Sequence, residues 1–425
     1  MPDPFMARPD VENRSAVSSR VCALRETATS VLENLSFLGD GESPEDSWRF
    51  AVPERFTLDA LSLGADFPPP SLDDLFPLLE KLGKRSGLIL SWECGTTVVE
   101  DSDELRLRVL DQDETLERTG SLAPPERDFF AALNARHFRG GAHVHVPAGV
   151  CVADPVVILH WVSAAGVASF SRSCLTLAAS SSLPVVEMWV GTPALGESLV
   201  AGTTEVFLED GAALDLVSLQ QLPDHTLFVG SLDVDVRQDA KCVLAAANVG
   251  GAAGRFCSRV FLNGEGASLE SRGVYIGDGE RHVDFRTEQL HQAARTTSNL
   301  LYRGAVCDSS RSVYAGLIRI LADAEGCQAD QASHSLILAK DAAAVNIPNL
   351  EIFNHDVKCG HSASSGPPDP DQLYYLESRG IAPERARHLL VDGFFSDVID
   401  RFPVPGARSL VNAEVQRRLA ASWKE

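Results

Sequence analysis

From about Gly141 this chain stops reading as helix, and helical spacing does not return until after Gly360. Apolar residues no longer recur at three- and four-residue spacing. Short apolar or alternating runs replace them, among them Val156–Leu159, Val206-Phe-Leu, Leu232-Asp-Val-Asp-Val, Val260-Phe-Leu, Leu317–Leu321 and Leu336–Leu338. Small turns separate the runs: Glu209-Asp-Gly-Ala, Gln238-Asp-Ala, Gly264-Glu-Gly-Ala, Asp323-Ala-Glu-Gly and Lys340-Asp-Ala-Ala. The first three are widely spaced and the last two closer together. Self-similarity on a scale of roughly 20–30 residues predicts a solenoid or a propeller. Hairpin pairs of the Asn-Gly or Asp-Gly type are sparse, which favours a parallel β-coil over blades. At roughly 20 residues per coil the segment makes about ten or eleven coils, a rod about 50 Å long with exposed strand edges at its ends.

The flanks are different. Residues 1–140 predict an N-terminal helical and mixed domain, 141–360 the parallel β-helix core, and 361–425 a C-terminal helical domain. Val21, Leu24, Val31, Leu32, Leu35 and Leu38 have helical spacing, closed by Gly39-Asp40-Gly41. Ser71 is a fitting N-cap for a helix carrying Leu75, Leu78 and Leu79. Strands are expected at Leu88–Trp92, Thr96–Val99 and Leu105–Leu110, and a helix from about Pro125 to Arg136. Beyond the coil, Ser362–Pro370 reads as a polar loop. A helix with Leu373, Tyr374 and Leu376 inside follows, then one opened by Pro383. Pro403 and Pro405 stop that helix, and a last one runs from about Ser409 to Trp423.

Composition narrows the partners. The 59 acidic and 37 basic side chains give a formal charge of −22, which repels phosphate backbones and argues against free nucleic acid. No apolar run is long enough for a bilayer, no polybasic group grips one, and Met1–Ser15 lacks the apolar stretch of a secretory signal. Nine scattered cysteines without a C-x-x-C pair read as reduced thiols in a cytoplasmic protein.

Several longer strings then take on meaning together. Phe130-Ala-Ala-Leu-Asn-Ala-Arg-His-Phe leads into Gly141-Ala-His-Val-His-Val-Pro. Thr296-Thr-Ser-Asn-Leu-Leu-Tyr-Arg-Gly leads to Leu350-Glu-Ile-Phe-Asn-His-Asp-Val-Lys-Cys-Gly-His, and Asp371-Gln-Leu-Tyr-Tyr-Leu-Glu-Ser-Arg-Gly-Ile follows. The chain resembles the SufB/SufD family of iron–sulfur cluster assembly proteins, and SufD more than SufB, from about Phe129 to Pro403, with a weaker echo at Glu45-Asp-Ser-Trp-Arg-Phe. The resemblance implies a mainly β fold, a right-handed parallel β-helix between helical ends. It implies a SufB-like β-helix partner and a SufC-type ABC ATPase, with a cluster built transiently at the SufB–SufD seam and no cofactor held stably by this chain alone. The family's Lys-Cys-x-His element falls on Lys358, Cys359, Gly360 and His361, so His361 takes the role of interfacial cluster ligand. This chain reads Cys-Gly-His-Ser-Ala-Ser where the family commonly reads Cys-Ser-His-Gly-Ala-Thr. The C-terminal helices are the family's ATPase-docking region, here about Pro383 to Ile399 with Leu389, Leu390, Phe394, Phe395 and Val398. Of the adjacent Phe394 and Phe395, one is expected inside and one outside.

Residue chemistry supplies its own readings. Cys359 and His361, two apart on a strand, share a face at about 6.5–7 Å and suit an iron or iron–sulfur site with groups from a partner; His355 is near enough in sequence to join them. The plainer alternative is a core thiol and a surface imidazole. Cys307 and Cys327, about one expected coil apart, read as stacked core thiols. His143 and His145 alternate on the first coil without a ligand role. Asp233 and Asp235 have the same-face spacing of a glycosidase carboxylate pair, yet they alternate with Leu232, Val234 and Val236 and so read as a solvent-facing outer row. The chain has neither a G-x-S-x-G elbow nor a phosphate-binding G-x-x-x-x-G-K-[ST] loop. Three functions remain: a non-catalytic SufD-like scaffold, a β-helical carbohydrate-active enzyme, and a divergent homodimeric SufD paralogue.

Overall fold

The computed structural model describes residues 17–35, 56, 58–64, 67–192 and 196–422. The chain is mainly β: a parallel β-helix of about eight turns with helices toward both termini. Each coil gives one strand to each of two ten-stranded sheets. In the first sheet the parallel ladder runs Ala142–Val146, Val167–Leu177, Ser198–Leu208, Thr226–Val236, Ala253–Leu262, His282–His291, Arg311–Ile320 and Ala343–Ile352. In the second it runs Val156–Val162, Ser182–Gly191, Ala213–Gln220, Lys241–Asn248, Ser268–Gly277, Thr297–Val306, Gln328–Ile337 and Lys358–Gly366. The expected strands near residues 88–110 are present and close the N-terminal end: Gly87–Trp92 forms a hairpin with Gly95–Glu100 and pairs with Val156–Val162, while Arg106–Val109 runs antiparallel to Ala142–Val146.

The coil is longer than expected. Ala213, Lys241, Ser268, Thr297, Gln328 and Lys358 stand in one register column, so one coil takes roughly 30 residues, within the range of solenoid repeats. The three turns at Glu209, Gln238 and Gly264 are the same corner in successive coils, so their spacing is the true period. Those at Asp323 and Lys340 are the two corners of a single coil. About eight longer coils replace ten or eleven shorter ones, and the rod is about 40 Å long. Cys307 and Cys327 therefore do not stack: Cys307 follows Thr297–Val306 at one corner, and Cys327 precedes the next strand of the same sheet at the other.

Both faces of most strands are buried, which is why the coil reads as apolar runs more than strict alternation. Val185, Leu216 and Leu244 point into the coil, and their neighbours Val186, Val217 and Ala245 point out. The outer face of the second sheet lies under helices α2 (Leu72–Leu82), α5 (Pro383–Ile399) and α6 (Pro405–Ser422). That of the first sheet lies under α1 (Ser19–Leu32) and α3 (Phe129–His137), and α4 (Pro370–Ser378) rests on α5. Ser71 and Asp74 close a reciprocal capping box at α2, and Asp128 caps α3 after a single 3-10 turn at Pro125–Arg127. Gly39-Asp40-Gly41 and the Glu45–Phe50 echo lie outside the described residues.

Three expectations are corrected. Asp233 and Asp235 do face outward, but not to solvent. Asp233 is fully buried and accepts from Arg127 Nη1 at 2.7 Å in the N-terminal segment, Arg259 Nε at 2.9 Å and Ser231 Oγ at 2.7 Å, and Asp235 is buried too, accepting from Asn263 Nδ2 at 2.7 Å. Pro405 opens α6 instead of only stopping α5, since a first-turn proline gives up no needed donor. Ser362–Gly366 is strand, not loop: pairing with Ala332–Leu336 below carries the ladder past residue 360 in spite of its Ser/Gly composition.

An aromatic column fills the coil. Trp189, Phe228, Phe256, Phe285, Tyr302 and Tyr314 follow one another with ring centroids 5.1 to 6.5 Å apart. Glycine makes room for it: a Cβ on Gly304 would lie 1.9 Å from the Tyr275 ring, and one on Gly273 2.0 Å from that of Tyr302. Gly304→Ala is accordingly expected to destabilise the chain by about 1–3 kcal/mol, read from the midpoint of urea unfolding, because no ring can retreat in a packed interior.

Candidate functional site

The C-terminal end of the β-helix is open. Ala343–Ile352 and Lys358–Gly366 are the last strands of their sheets, each paired on one side only among the described residues. Register carries the inward columns up to that end: Ala329 lies beneath Cys359, Gln331 beneath His361, Ser333 beneath Ala363 and Ser335 beneath Ser365. The lower member of each pair is buried, whereas Cys359 is half-buried and His361 exposed. Cys359 packs on an apolar floor of Ile318, Ile320, Ala324, Cys327 and Ala329. Burial, and then the negative charge of Asp330, raise its pKa, so at neutral pH it is a thiol that a metal would have to deprotonate.

Of the three residues singled out by sequence, two share the inward face, as period-two spacing requires. His355 is exposed in the bend before the strand. Asn346 Nδ2 links the final strands, donating to Ser335 Oγ at 3.1 Å, Ser364 O at 2.9 Å and Ser365 Oγ at 2.9 Å. Ile352 and Phe353, absent from the sequence-derived set, are 41% and 62% exposed at this end. Their signal in the sequence is a strand pattern, Leu350-Glu-Ile-Phe, that ends on two adjacent apolar residues. Among the described residues no group of three or more His, Cys, Asp or Glu side chains is arranged to hold a metal ion.

The helical face assigned to ATPase docking divides. Phe395 and Val398 are buried between α5 and the second sheet, and are interior residues instead of contact residues. Phe394 is half-buried: the Arg303 guanidinium lies 4.8 Å from its ring centroid and donates to Phe394 O at 2.7 Å and Asp397 Oδ2 at 2.6 Å. Leu390 is half-buried and Leu389 exposed. On α4, which rests on α5, Tyr374 and Tyr375 are 74% and 57% exposed, so Tyr374 is outside, not inside as its spacing suggests, and no residue of α4 is buried. His143 is buried and bonded through Nδ1 to Asp113 Oδ2 at 2.7 Å, with burial the leading cause of its lowered pKa.

Comparison with known proteins bears on this arrangement. Residues 160–394 match the family model described as the SufBD core domain of SUF-system FeS cluster assembly. The iron–sulfur cluster assembly protein SufD of Bacillus subtilis is 29% identical over 291 residues, 68% of this chain and 66% of that protein. A SufBD family protein of Mycobacterium tuberculosis is 31% identical over 232 residues, 53% of this chain and 58% of its own length. SufB of Bacillus subtilis is 24% identical over 288 residues, 68% of this chain and 62% of its own length. Each of these relatives is thus matched over less than two thirds of its length.

Proposed function

The chain belongs to the SufB/SufD family of iron–sulfur cluster assembly proteins, and from that premise we propose that it is a SufD-like, non-catalytic scaffold subunit. Its partners are a SufB-like β-helix protein and a SufC-type ABC ATPase, and an iron–sulfur cluster is the transient cargo of the assembled complex. One observation carries the reading: the inward-facing Cys359 and His361 reach the surface only at the open coil, where two strand edges await pairing. Unpaired strand backbone with an apolar rim is an association surface, and a sister β-helix is the partner whose edge fits it. A soft sulfur and an imidazole make an incomplete site for a metal or cluster, so the missing ligands come from the partner.

The carbohydrate-active alternative loses its chemistry, because Asp233 is sealed under the N-terminal domain and paired with two arginines. A homodimer through the same edge is the form expected of the isolated chain. No helix among the described residues is long and apolar enough to cross a membrane. The test is co-expression with a SufB-like protein and a SufC-type ATPase. A complex holding all three, whose ATPase subunit is shed by Leu389→Asp without loss of helicity, is expected. Failure of this chain to associate with either partner would overturn the assignment.

A further inference from the structure

We propose that the interior of the β-helix holds one ordered water molecule, bridging Gln220 and Asn248. These two residues are register partners at the ends of adjacent strands in the second sheet, and both side chains point into the coil. Both are almost completely buried, at 3% and 1% exposure. Gln220 Oε1 accepts from Gly250 N at 2.8 Å, which fixes the carboxamide and leaves Nε2 with no partner among the described residues. Asn248 is more extreme, since neither Nδ2 nor Oδ1 has a partner there. A buried carboxamide that exchanges no hydrogen bond is rare in folded proteins, and three such atoms side by side point to an unseen bonding group.

Space for that group is present. A cavity of about 10 Å³ is lined by Ser218, Gln220 and Asn248 together with three phenylalanines and two alanines. This is about the smallest volume that admits a water molecule, and it excludes larger ligands. The water accepts from Gln220 Nε2, exchanges a bond with the Asn248 carboxamide, and turns its remaining hydrogen toward the Ser218 hydroxyl. A void with three polar side chains in its lining gives a water its hydrogen-bond partners, where an all-aromatic one would be dry.

Two glycines let the backbone pack close against the two carboxamides. A Cβ on Gly251, whose φ is +74°, would lie 2.9 Å from Gln220 Nε2, and one on Gly254 would lie 3.0 Å from Asn248 Nδ2. Gly251 lies in the corner at which the chain passes from the second sheet to the first and Gly254 on the strand that follows, and Gly251 N donates to Leu222 O at 3.0 Å in the coil below. The water thus completes the hydrogen bonding of a corner whose own backbone already holds Gln220 in place.

A crystal structure of the full chain tests this directly. One peak within about 3.2 Å of Gln220 Nε2 and of an Asn248 carboxamide atom is expected. An empty cavity, or an Asn248 side chain turned to bond protein directly, overturns the proposal. In solution, the side-chain amides of Gln220 and Asn248 in deuterated protein should show long-lived cross-relaxation to water, and Asn248→Leu should abolish it at Gln220. Persistence of that signal in the leucine variant counts against the assignment, and if the variant does not fold the wild-type measurements decide alone.

Discussion

Glu205→Ala is expected to destabilise the chain by about 3–5 kcal/mol, the range found when one partner of a buried ion pair is removed. Glu205 and Arg172 are both completely buried, on adjacent strands of the first sheet, and meet at 2.7 Å. The carboxylate also accepts from the backbone nitrogens of Gly120 at 2.8 Å, Leu122 at 3.0 Å and Ala123 at 3.1 Å. Arg172 in turn donates to Asn134 Oδ1 at 3.1 Å on α3 and to Ala123 O at 3.3 Å. The pair therefore ties residues 120–123 and α3 to the β-helix. Loss of the carboxylate strands a guanidinium and three amides away from water, whereas Arg172→Met with Glu205→Leu removes both charges together and should cost less than the single change. Urea unfolding gives the magnitude, and hydrogen exchange gives the place: the amides of residues 120–123 should lose protection first. A single variant within about 1 kcal/mol of wild type, well short of the cost of an orphaned buried charge, would show that the domain is held by its apolar contacts alone.

The same pair shows where sequence reading runs short. Strand-forming stretches, the parallel coil and the helical flanks follow from local spacing and turn chemistry, and are legible. The coil length is not, because a turn motif does not say which of two corners it occupies; the wide spacing from Glu209 to Gly264 carries the answer and the narrow one from Asp323 to Lys340 obscures it. Burial of Asp233, Glu205 and Arg172 is also hidden. Asp233 alternates with Leu232 and Val234, which marks an outer face, while Arg172 between two serines and Glu205 after two threonines carry no such mark, and only tertiary packing decides whether that face meets water or other parts of the chain. At the candidate site, spacing places Cys359 and His361 on one face, and the backbone ladder explains why: inward parity is inherited coil after coil from Ala329 and Gln331. For α5, Phe395 shares three-four spacing with Val391, Val398 and Ile399, whereas Leu389 lies off that stripe; which of the two apolar stripes meets the sheet depends on how the helix packs.

His361→Ala should leave the β-helix intact and lower cluster formation by the reconstituted complex at least about tenfold, since loss of a group that merely supports a metal ligand already costs roughly 10–100-fold. The fold is spared because the side chain is exposed at the open end and rests on Gln331, whose own burial comes from the coil around it. Cys359→Ser separates ligand from packing differently. It keeps the volume but places a hydroxyl on the apolar floor of Ile318, Ile320 and Ala329, so a small stability loss accompanies any loss of assembly. The decisive comparison is cluster absorbance formed per complex, alongside the unfolding midpoint of each isolated variant. If His361→Ala assembles clusters at the wild-type rate, the imidazole is a rim residue of the seam and the cargo is held by the partner's groups. If assembly fails while complex formation and stability stand, the open end of this coil supplies a ligand, and its incompleteness in one chain is what makes the site available only when the seam is formed.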